Sequence, residues 1–308
     1  MKPTKRLGLL FGPSLALILF LAPDFTSAQG AGPFQFTPIT PCRVVDTRLG
    51  QQPLSSPKGQ IKNSQTVKFP IRNRCSVPAS AAAVAVNMTT ANVPTAAVNG
   101  WVALVPADQV CIQPNPANQI SNINFTPPGF LANGAVVPLA TTGTADVAAC
   151  AQFKVPPGGT DIILDVTGYF VPTTGLRFYS ISPCRVIDTE TGLGGFTGFL
   201  PNGGSGNIST VFTVKGAAPC DIPDDAVAIA ANATAANTQD KGYLALFPGN
   251  GSWPGVSNVN FFANDTIGNG ALVPLSAGVQ DLAVLAQAAS SSTTGVAYFQ
   301  LDVTGYFK

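Results

Sequence analysis

The sequence predicts an all-β protein in which two tandem antiparallel β-sandwich domains, jelly-roll-like or immunoglobulin-like, follow a signal peptide. Three observations lead to this prediction. The heptapeptide LDVTGYF occurs at 164–170 and again at 301–307, and other segments repeat in the same order. The apolar segments are short, rich in Val, Ile, Phe and Thr, and separated by Pro, Gly and Asn. Finally, four of the six cysteines occupy equivalent places in the two halves.

Residues 1–28 have the features of a secretory signal peptide. Three basic residues precede an apolar run at 7–21, and small residues at 26–28 form a cleavage site before Gln29. The apolar run is shorter than the roughly 20 residues that a membrane-spanning helix needs. We therefore expect a secreted chain, extracellular or at the cell surface, with no membrane insertion after cleavage.

The charge of the chain is low and nearly balanced. Only 10% of the residues are charged, and the formal net charge is +1. The leader contains three basic residues and one acidic residue, a net +2, which leaves about −1 for the mature chain. Nucleic acids and anionic membranes attract proteins through clustered Lys and Arg. We therefore expect no nucleic-acid partner.

The repeated segments divide the mature chain into two units. The division predicts a first domain at 29–171, a short linker at 172–176 and a second domain at 177–308. A unit of this length is typical of one independently folding domain and is much longer than a solenoid repeat. The collinear pairs are FQFTPITPCRVVDTR with RFYSISPCRVIDTE, GWVALVP with GYLALFP, SNINF with SNVNF, NGAVVPL with NGALVPL, and LDVTGYF with itself.

Short apolar runs between turn residues predict the strands of the first unit, and the repeat places equivalent strands in the second. The Ala-rich runs near 79–86 and 226–236 have helical propensity, but their alternating Val and Ile favour strands. In the closing strand we expect Leu164, Val166 and Phe170 to face the core, unless a bulge at Gly168 shifts the phase. The predicted strands are 34–39, 43–46, 66–71, 83–90, 101–105, 120–125, 135–139, 147–155 and 162–170.

Six cysteines allow fifteen pairings. The repeat selects one of them: Cys42 with Cys75, Cys184 with Cys220, and Cys111 with Cys150 as an extra bridge in the first unit. An oxidising compartment favours disulfides. A zinc site is the alternative, but the chain has neither paired C-x-x-C spacing nor any histidine. We therefore predict three disulfides, no bound metal and no cofactor.

The absence of histidine removes Ser-His-Asp and Cys-His catalysis. A carboxylate-dependent glycosidase remains, with Asp46, Asp165, Asp188 or Asp302 as candidates. Their duplication in both units favours a structural role. We expect Arg43 to pair with Asp46 or Asp165, and Arg185 with Asp188 or Asp302, because a half-buried Arg needs a carboxylate partner. The equivalent of Arg48 is Glu190, so the fold does not require a base there.

Candidate binding residues are amides and one tryptophan. In SNINF and SNVNF, period-two alternation places Asn122 with Asn124, and Asn258 with Asn260, on one face of a strand. With Asn87, Thr89, Asn232 and Thr234 of neighbouring strands they could hydrogen-bond sugar hydroxyls, or they could form an ordinary solvated face. Trp253 lies in a GSWPG loop and is the candidate for an exposed stacking platform. Trp101 and Tyr243, at equivalent places on predicted strands, are more typical of a core.

The ordered motifs TPCRVVDTR, SNINF, NGAVVPL and LDVTGYF resemble tandem repeats of secreted and cell-surface proteins of environmental bacteria. The resemblance covers essentially the whole mature chain. It implies an extracellular β-rich module that is often appended to enzymes or repeated alone, and it brings no catalytic residues. We therefore predict a non-enzymatic surface protein that interacts with extracellular polysaccharide. The alternatives are a self-assembling subunit of a fibre or surface layer and, less favoured, the glycosidase.

Overall fold

The computed structural model describes residues 33–308 except 54–55, 94–99, 116–118, 126–129, 154–157, 204–205 and 291–294. The predicted signal peptide therefore lies outside the described residues. No α-helix occurs in the described part, and thus none long and apolar enough to cross a bilayer. The strands are Gln35–Asp46 (β1), Ile61–Lys62 (β2), Gln65–Phe69 (β3), Ala83–Ala91 (β4), Gly100–Pro106 (β5), Ile123–Phe125 (β6), Ala132–Pro138 (β7), Val147–Phe153 (β8), Gly159–Val171 (β9), Phe178–Asp188 (β10), Thr210–Phe212 (β11), Ala228–Ala236 (β12), Gly242–Pro248 (β13), Val259–Phe261 (β14), Ile267–Pro274 (β15), Leu282–Ala288 (β16) and Tyr298–Phe307 (β17).

Each half of the chain forms two antiparallel sheets. In the first half, one sheet has the order β1-β9-β4-β7 with β2 also on β9, and the other has the order β3-β8-β5-β6. In the second half the orders are β10-β17-β12-β15 and β11-β16-β13-β14, which repeat the same topology. Each half buries its own apolar cluster, contributed by strands of both sheets. The predicted all-β, antiparallel sandwich fold is confirmed.

Several strands differ from the prediction at their ends. The segments 34–39 and 43–46, predicted as two strands, form the single strand β1. Its register against β9 shifts between Pro38 and Cys42. The same shift occurs in β10 between Ser180 and Cys184, and both strands have a proline there, Pro41 or Pro183, that lacks an N–H to donate to the ladder. The Ala-rich runs do form strands, β4 and β12, as their alternating β-branched residues indicate.

The repeated LDVTGYF closes each unit as a central strand, β9 or β17, between β1 and β4 or between β10 and β12. Thr167 is an extra residue in the pairing with β4, because Val86 faces Val166 while Ala85 faces Gly168. The bulge reverses the side-chain phase after Val166. Phe170 therefore leaves the core and joins the cluster between the units, contrary to the phase expected without a bulge.

Three disulfides join Cys42 to Cys75, Cys111 to Cys150 and Cys184 to Cys220, the pairs that the repeat selects. They span 33, 39 and 36 residues, and loops of this length correspond to roughly 3–4 kcal/mol each in the chain-entropy account. The Cα atoms lie 5.7–6.0 Å apart, the ordinary separation for a bridge. No free cysteine is present in the described part.

The two units contact each other through the sheets that contain their closing strands, β1-β9-β4-β7 and β10-β17-β12-β15, called the first sheets. The Phe36 ring lies 5.0 Å from that of Phe170 and 4.6 Å from that of Phe307, so that it packs on the closing strands of both units. Phe36 also exchanges two backbone hydrogen bonds with Leu176 of the linker. Arg177 and Lys308 exchange a similar pair. The C-terminal end of the linker is thereby fastened to β1, and the residue that follows it is fastened to the end of the chain beside β17.

Buried amides complete this junction. Asn87 Nδ2 donates to the Ser257 carbonyl at 2.6 Å, and Asn269 Nδ2 donates to Asn87 Oδ1 at 2.8 Å. The Gly134 N–H donates to Asn269 Oδ1 at 2.7 Å. Asn87 and Asn269 are each 3% exposed. These directional bonds set how the second unit lies on the outer face of β4.

Candidate functional site

The arginines of the PCRVVDT and PCRVIDT segments bind the aspartates of the closing strands. Arg43 Nε and Nη2 donate to the two oxygens of Asp165 at 2.8 and 3.1 Å, and Nη1 lies 3.6 Å from Asp46 Oδ2. Arg185 repeats this arrangement with Asp302, at 2.7 and 2.9 Å, and with Asp188 at 3.2 Å. The sequence left two carboxylate partners open for each arginine, and each arginine contacts both of them. The Asp165 carboxylate anchors Arg43, because two parallel bonds fix the guanidinium plane.

Arg48 extends the ion-pair group of the first unit. Its Nη2 and Nε donate to Asp46 at 2.6 and 3.0 Å, and its backbone N–H donates to the same carboxylate at 3.0 Å. Glu190, at the equivalent position, retains only the backbone bond, to Asp188 at 3.0 Å. The turn is thus the same in both units, whereas the side-chain charge is opposite.

The structure corrects the expectation of open amide faces. Asn122 Oδ1 accepts from the Leu104 N–H and Asn258 Oδ1 from the Leu246 N–H, each at 2.7 Å, so these amides satisfy backbone groups. Asn258 and Asn260 are each only 2% exposed, because the second unit turns this edge toward the first. Asn124 alone of the four is exposed, and its Nδ2 donates to Ser121 Oγ.

Trp253 is a partly buried member of an aromatic pair. Its ring stacks on Tyr243 with centroids 5.9 Å apart and planes inclined by 22°. The indole Nε1 donates to the Val256 carbonyl at 2.8 Å, which fixes the ring in its loop. Burial raises the pKa of the Tyr243 hydroxyl, which donates to Gln287 Oε1 at 2.8 Å. The two rings form a rigid surface.

That surface lines a cavity between the units, called the junction cleft below. The cavity measures about 170 Å³. A further space of about 370 Å³ adjoins it and shares Arg48 and Phe130 with it. The cleft is lined by Arg43, Arg48, Thr89, Phe130 and Ile163 of the first unit and by Tyr243, Trp253, Gly255, Val256, Ser257 and Asn260 of the second; the adjoining space adds Ala91, Asn92, Val93, Lys241 and Phe262.

Thr89 contributes an unsatisfied hydroxyl to this lining. The residue is 2% exposed, and its Oγ1 has no hydrogen-bond partner among the residues that the structure describes. Its equivalent Thr234 accepts a bond from Asn232 Nδ2 at 3.1 Å. In the first unit Asn87 instead bonds across the junction, so Thr89 lacks this partner.

Lys241 forms part of the opposite wall. Its Nζ lies 5.1 Å from the centroid of Phe130 in the first unit and 5.7 Å from that of Phe262 in its own unit. No carboxylate of the described residues lies within 4 Å of this ammonium group. Cation–π contacts therefore hold this charge at the edge of the cleft.

Another cavity, of about 260 Å³, lies elsewhere along the junction. Small and apolar residues such as Ala85, Ala230 and Leu272 dominate its lining, which contains no charged side chain. It offers fewer fixed polar groups than the junction cleft, and specificity for a ligand depends on such groups.

Sequence reasoning missed the cleft because it looked for residues that recur. Arg48, Lys241 and Phe262 stand where the other repeat has Glu190, Asn99 and Thr126. The available signal was therefore divergence between otherwise matching segments. It also missed Asp146 and Asp281, which recur and accept the backbone N–H groups at 71–72 and 214–215.

No protein-family model matches the chain, and no curated protein matches it. Among solved structures, the chain is similar to the N-terminal CBM22-1-CBM22-2 tandem domain of Paenibacillus barcinonensis Xyn10C. The identity is 10%, the match covers 91% of this chain and 98% of the other, and the TM-score is 0.22. It is also similar to PNGase F, a glycosylasparaginase from Flavobacterium meningosepticum, with 10% identity, coverage of 81% and 95%, and a TM-score of 0.20. TM-scores this low support no conclusion about this chain, and the fold assignment is based on the strand pairing described above.

The side chains and disulfides of the described residues bear on metal binding and on cellular location. The described residues contain no group of three or more His, Cys, Asp or Glu side chains that could hold a metal ion. The all-β fold and the three disulfides fit an extracellular protein.

Proposed function

We propose that this is a non-enzymatic extracellular or cell-surface protein that binds polysaccharide in the junction cleft. The observation that carries the proposal is the composition of the lining: a fixed aromatic pair, Tyr243 and Trp253, faces a first unit that contributes Arg43 and the unsatisfied Thr89 hydroxyl. Aromatic faces pack against the apolar C–H face of a sugar ring, while polar groups around them bind its hydroxyls.

Thr89 supports a ligand with hydroxyl groups. A buried hydroxyl without a partner costs roughly 1–3 kcal/mol, and a hydrogen bond from a ligand removes that cost. Thr89 lines the same cavity as the aromatic pair, and its hydroxyl, which has less than 1 Å² of exposed surface, reaches a ligand when the side chain rotates. A sugar presents both the ring face and the hydroxyls that this combination requires.

The lining also favours binding over catalysis. A glycosidase needs two carboxyl groups on either side of the scissile bond. None of the described residues that line the cleft or its adjoining space is Asp or Glu. Asp46 and Asp165 lie behind the arginines, with side chains 0% and 1% exposed. These carboxylates form ion pairs with Arg43 and Arg48, and we assign them no role as general acid or base.

A polysaccharide-binding assay with purified mature protein tests the proposal. Trp253→Ala should weaken binding by about tenfold or more, because the loss of a buried aromatic contact is a large fraction of the binding energy. Trp101→Ala is the control, since Trp101 is a partly exposed tryptophan on β5, at the position equivalent to Tyr243, and does not line the cleft. Equal affinities for wild type and Trp253→Ala would contradict the proposal.

Self-association is a second candidate, favoured by the exposed ring of Phe178 at the start of β10. Phe178 is 51% exposed, whereas its equivalent Phe36 is 1% exposed at the junction. A second copy could cover Phe178 as the second unit covers Phe36. Such a head-to-tail contact does not close on itself and would build filaments.

Sedimentation velocity over a range of concentrations tests this candidate. Association that Phe178→Ser abolishes would support it if the melting temperature stays unchanged, because the exposed ring also packs on Phe307 of the junction cluster, with centroids 5.1 Å apart. A protein that stays monomeric at high concentration would exclude it.

A further inference from the structure

The ion pairs of the cleft present their positive ends to the cavity. The Arg43 and Arg48 side chains are 24% and 28% exposed, whereas their carboxylate partners Asp46 and Asp165 are 0% and 1% exposed. A group entering the cleft therefore meets the guanidinium groups first. The carboxylates lie beneath the arginines, away from the cavity, and their hydrogen bonds fix the positions of the two guanidinium groups.

Lys241 adds a third cation from the other unit. It shares the adjoining space with Arg48, so the two charges border the same volume from opposite sides of the junction. The neighbouring Asp240 carboxylate accepts the backbone N–H groups of Lys241 and Ser290, at 2.7 and 2.9 Å. Three cations thus border the cleft and its extension, against two carboxylates that lie buried beneath the arginines.

We infer that the ligand is an acidic polysaccharide whose carboxylate groups bind Arg43, Arg48 and Lys241. This inference rests on the proposed function and names its substrate class. A uronate ring combines an apolar face for Tyr243 and Trp253, hydroxyls for Thr89, and a planar carboxylate. Because Nε and Nη2 of Arg43 and Arg48 already bond Asp165 and Asp46, that carboxylate binds through the remaining Nη1 groups of the two arginines and the Lys241 ammonium.

The repeat supplies a matched pair of variants. Arg48→Glu places in the cleft the residue that the second unit has at the same turn, and Glu190→Arg makes the reverse change on the other unit. Both positions donate their backbone N–H to the preceding aspartate, so the turn accommodates either side chain. Lys241→Gln removes the third charge, which has no carboxylate partner among the described residues.

The probes are polygalacturonate and alginate, each in native and carboxyl-reduced form, with dextran sulfate, neutral β-glucan and single-stranded DNA in parallel. We expect the native uronates to bind at least about tenfold more tightly than the reduced forms, with affinity falling as salt rises. Arg48→Glu should weaken uronate binding by about tenfold or more, Lys241→Gln by less, and Glu190→Arg hardly at all.

The outcomes separate the two proposals. Binding of the neutral glucan, or of reduced and native forms alike, would overturn the acidic-ligand inference and leave the proposed function standing. Binding of none of the polysaccharides would overturn both. Equal binding of DNA, or stronger binding of dextran sulfate, would show non-specific attraction or sulfate recognition and would likewise overturn the assignment to uronates. Loss of uronate binding in Arg48→Glu, with circular dichroism unchanged, supports the inference.

Discussion

At the residue scale, equivalent side chains of the two units differ in what surrounds them. Arg43 and Arg185 make the same bonds to Asp165 and Asp302, but the second unit covers only the first pair. The Asp165 side chain is 1% exposed and that of Asp302 is 30% exposed. The chain therefore contains its own comparison between a buried ion pair and a solvated one.

Arg43→Ala should destabilise the protein far more than Arg185→Ala. Removal of Arg43 leaves the Asp165 carboxylate charged and buried, which costs about 3–5 kcal/mol. Removal of Arg185 leaves Asp302 within reach of water, and exposed pairs contribute about 0–1 kcal/mol. Urea unfolding of both variants measures the difference. Equal losses of stability would show that burial does not distinguish the two pairs.

Thr89→Val and Thr234→Val should have opposite effects on stability. Valine removes the unpaired hydroxyl of Thr89 at nearly constant volume, so the free energy of unfolding should rise by about 1 kcal/mol. At Thr234 it removes an acceptor from Asn232 and should lower stability by a similar amount. Thermal unfolding without ligand checks both signs. A destabilised Thr89→Val would mean that the hydroxyl is already satisfied.

At the element scale, the closing strand shows how far sequence reasoning reached. The repeat and the alternation of Val84 and Val86 were sufficient to predict strands and the two-unit architecture, because both are visible along the chain. A bulge was expected only as an alternative, at Gly168, because its presence and its position at Thr167 depend on the register with β4. This single extra residue placed Phe170 on the opposite face from that expected without a bulge. The strand order likewise depends on pairings that are distant in sequence.

Gly168→Ala should weaken the packing of β9 on β1. A Cβ at this position would lie 2.3 Å from the Phe36 ring, which is itself held between the units. Overpacking of this kind typically costs about 1–3 kcal/mol. Gly305→Ala meets the exposed Phe178 ring at 2.4 Å, and that ring can move away, so a smaller loss is expected.

Gly270→Ala is the control for both substitutions, because nothing lies within 4 Å of a Cβ there. Melting temperatures of the three variants should rank Gly168→Ala lowest and Gly270→Ala closest to wild type. A Gly168→Ala protein as stable as the control would show that the Phe36 ring is free to move.

At the scale of the whole molecule, the junction is asymmetric although the units are alike. The residues that match between the units build the fold, and several of those that differ, such as Arg48 and Lys241, line the cleft. Sequence reasoning found the first set by self-comparison. The differing residues could not be assigned to a cleft from the sequence, because the sequence does not show which faces of the two units pack together.

Asn87→Ala should uncouple the units. Asn87 bonds Ser257 and Asn269 across the junction, and its loss leaves buried groups unpaired at a cost of about 1–3 kcal/mol. We expect one calorimetric transition for wild type and two, or a broadened one, for this variant. Asn232→Ala, at the equivalent site, should lower stability without splitting the transition. An unsplit transition for Asn87→Ala would assign the coupling to the phenylalanine cluster alone.

The bridges from Phe36 to Leu176 and from Arg177 to Lys308 have a mechanical consequence. They bring residues 36, 176, 177 and 308 together, so a force applied between positions 35 and 308 loads these few hydrogen bonds before it loads either sandwich. Once they break, β1 can peel from β9 one rung at a time, as in unzipping. The Cys42–Cys75 bond then stops the peeling after a few residues, and the Cys184–Cys220 bond does the same for β10. Under tension the protein should therefore lengthen by a small, fixed step while both sandwiches remain folded.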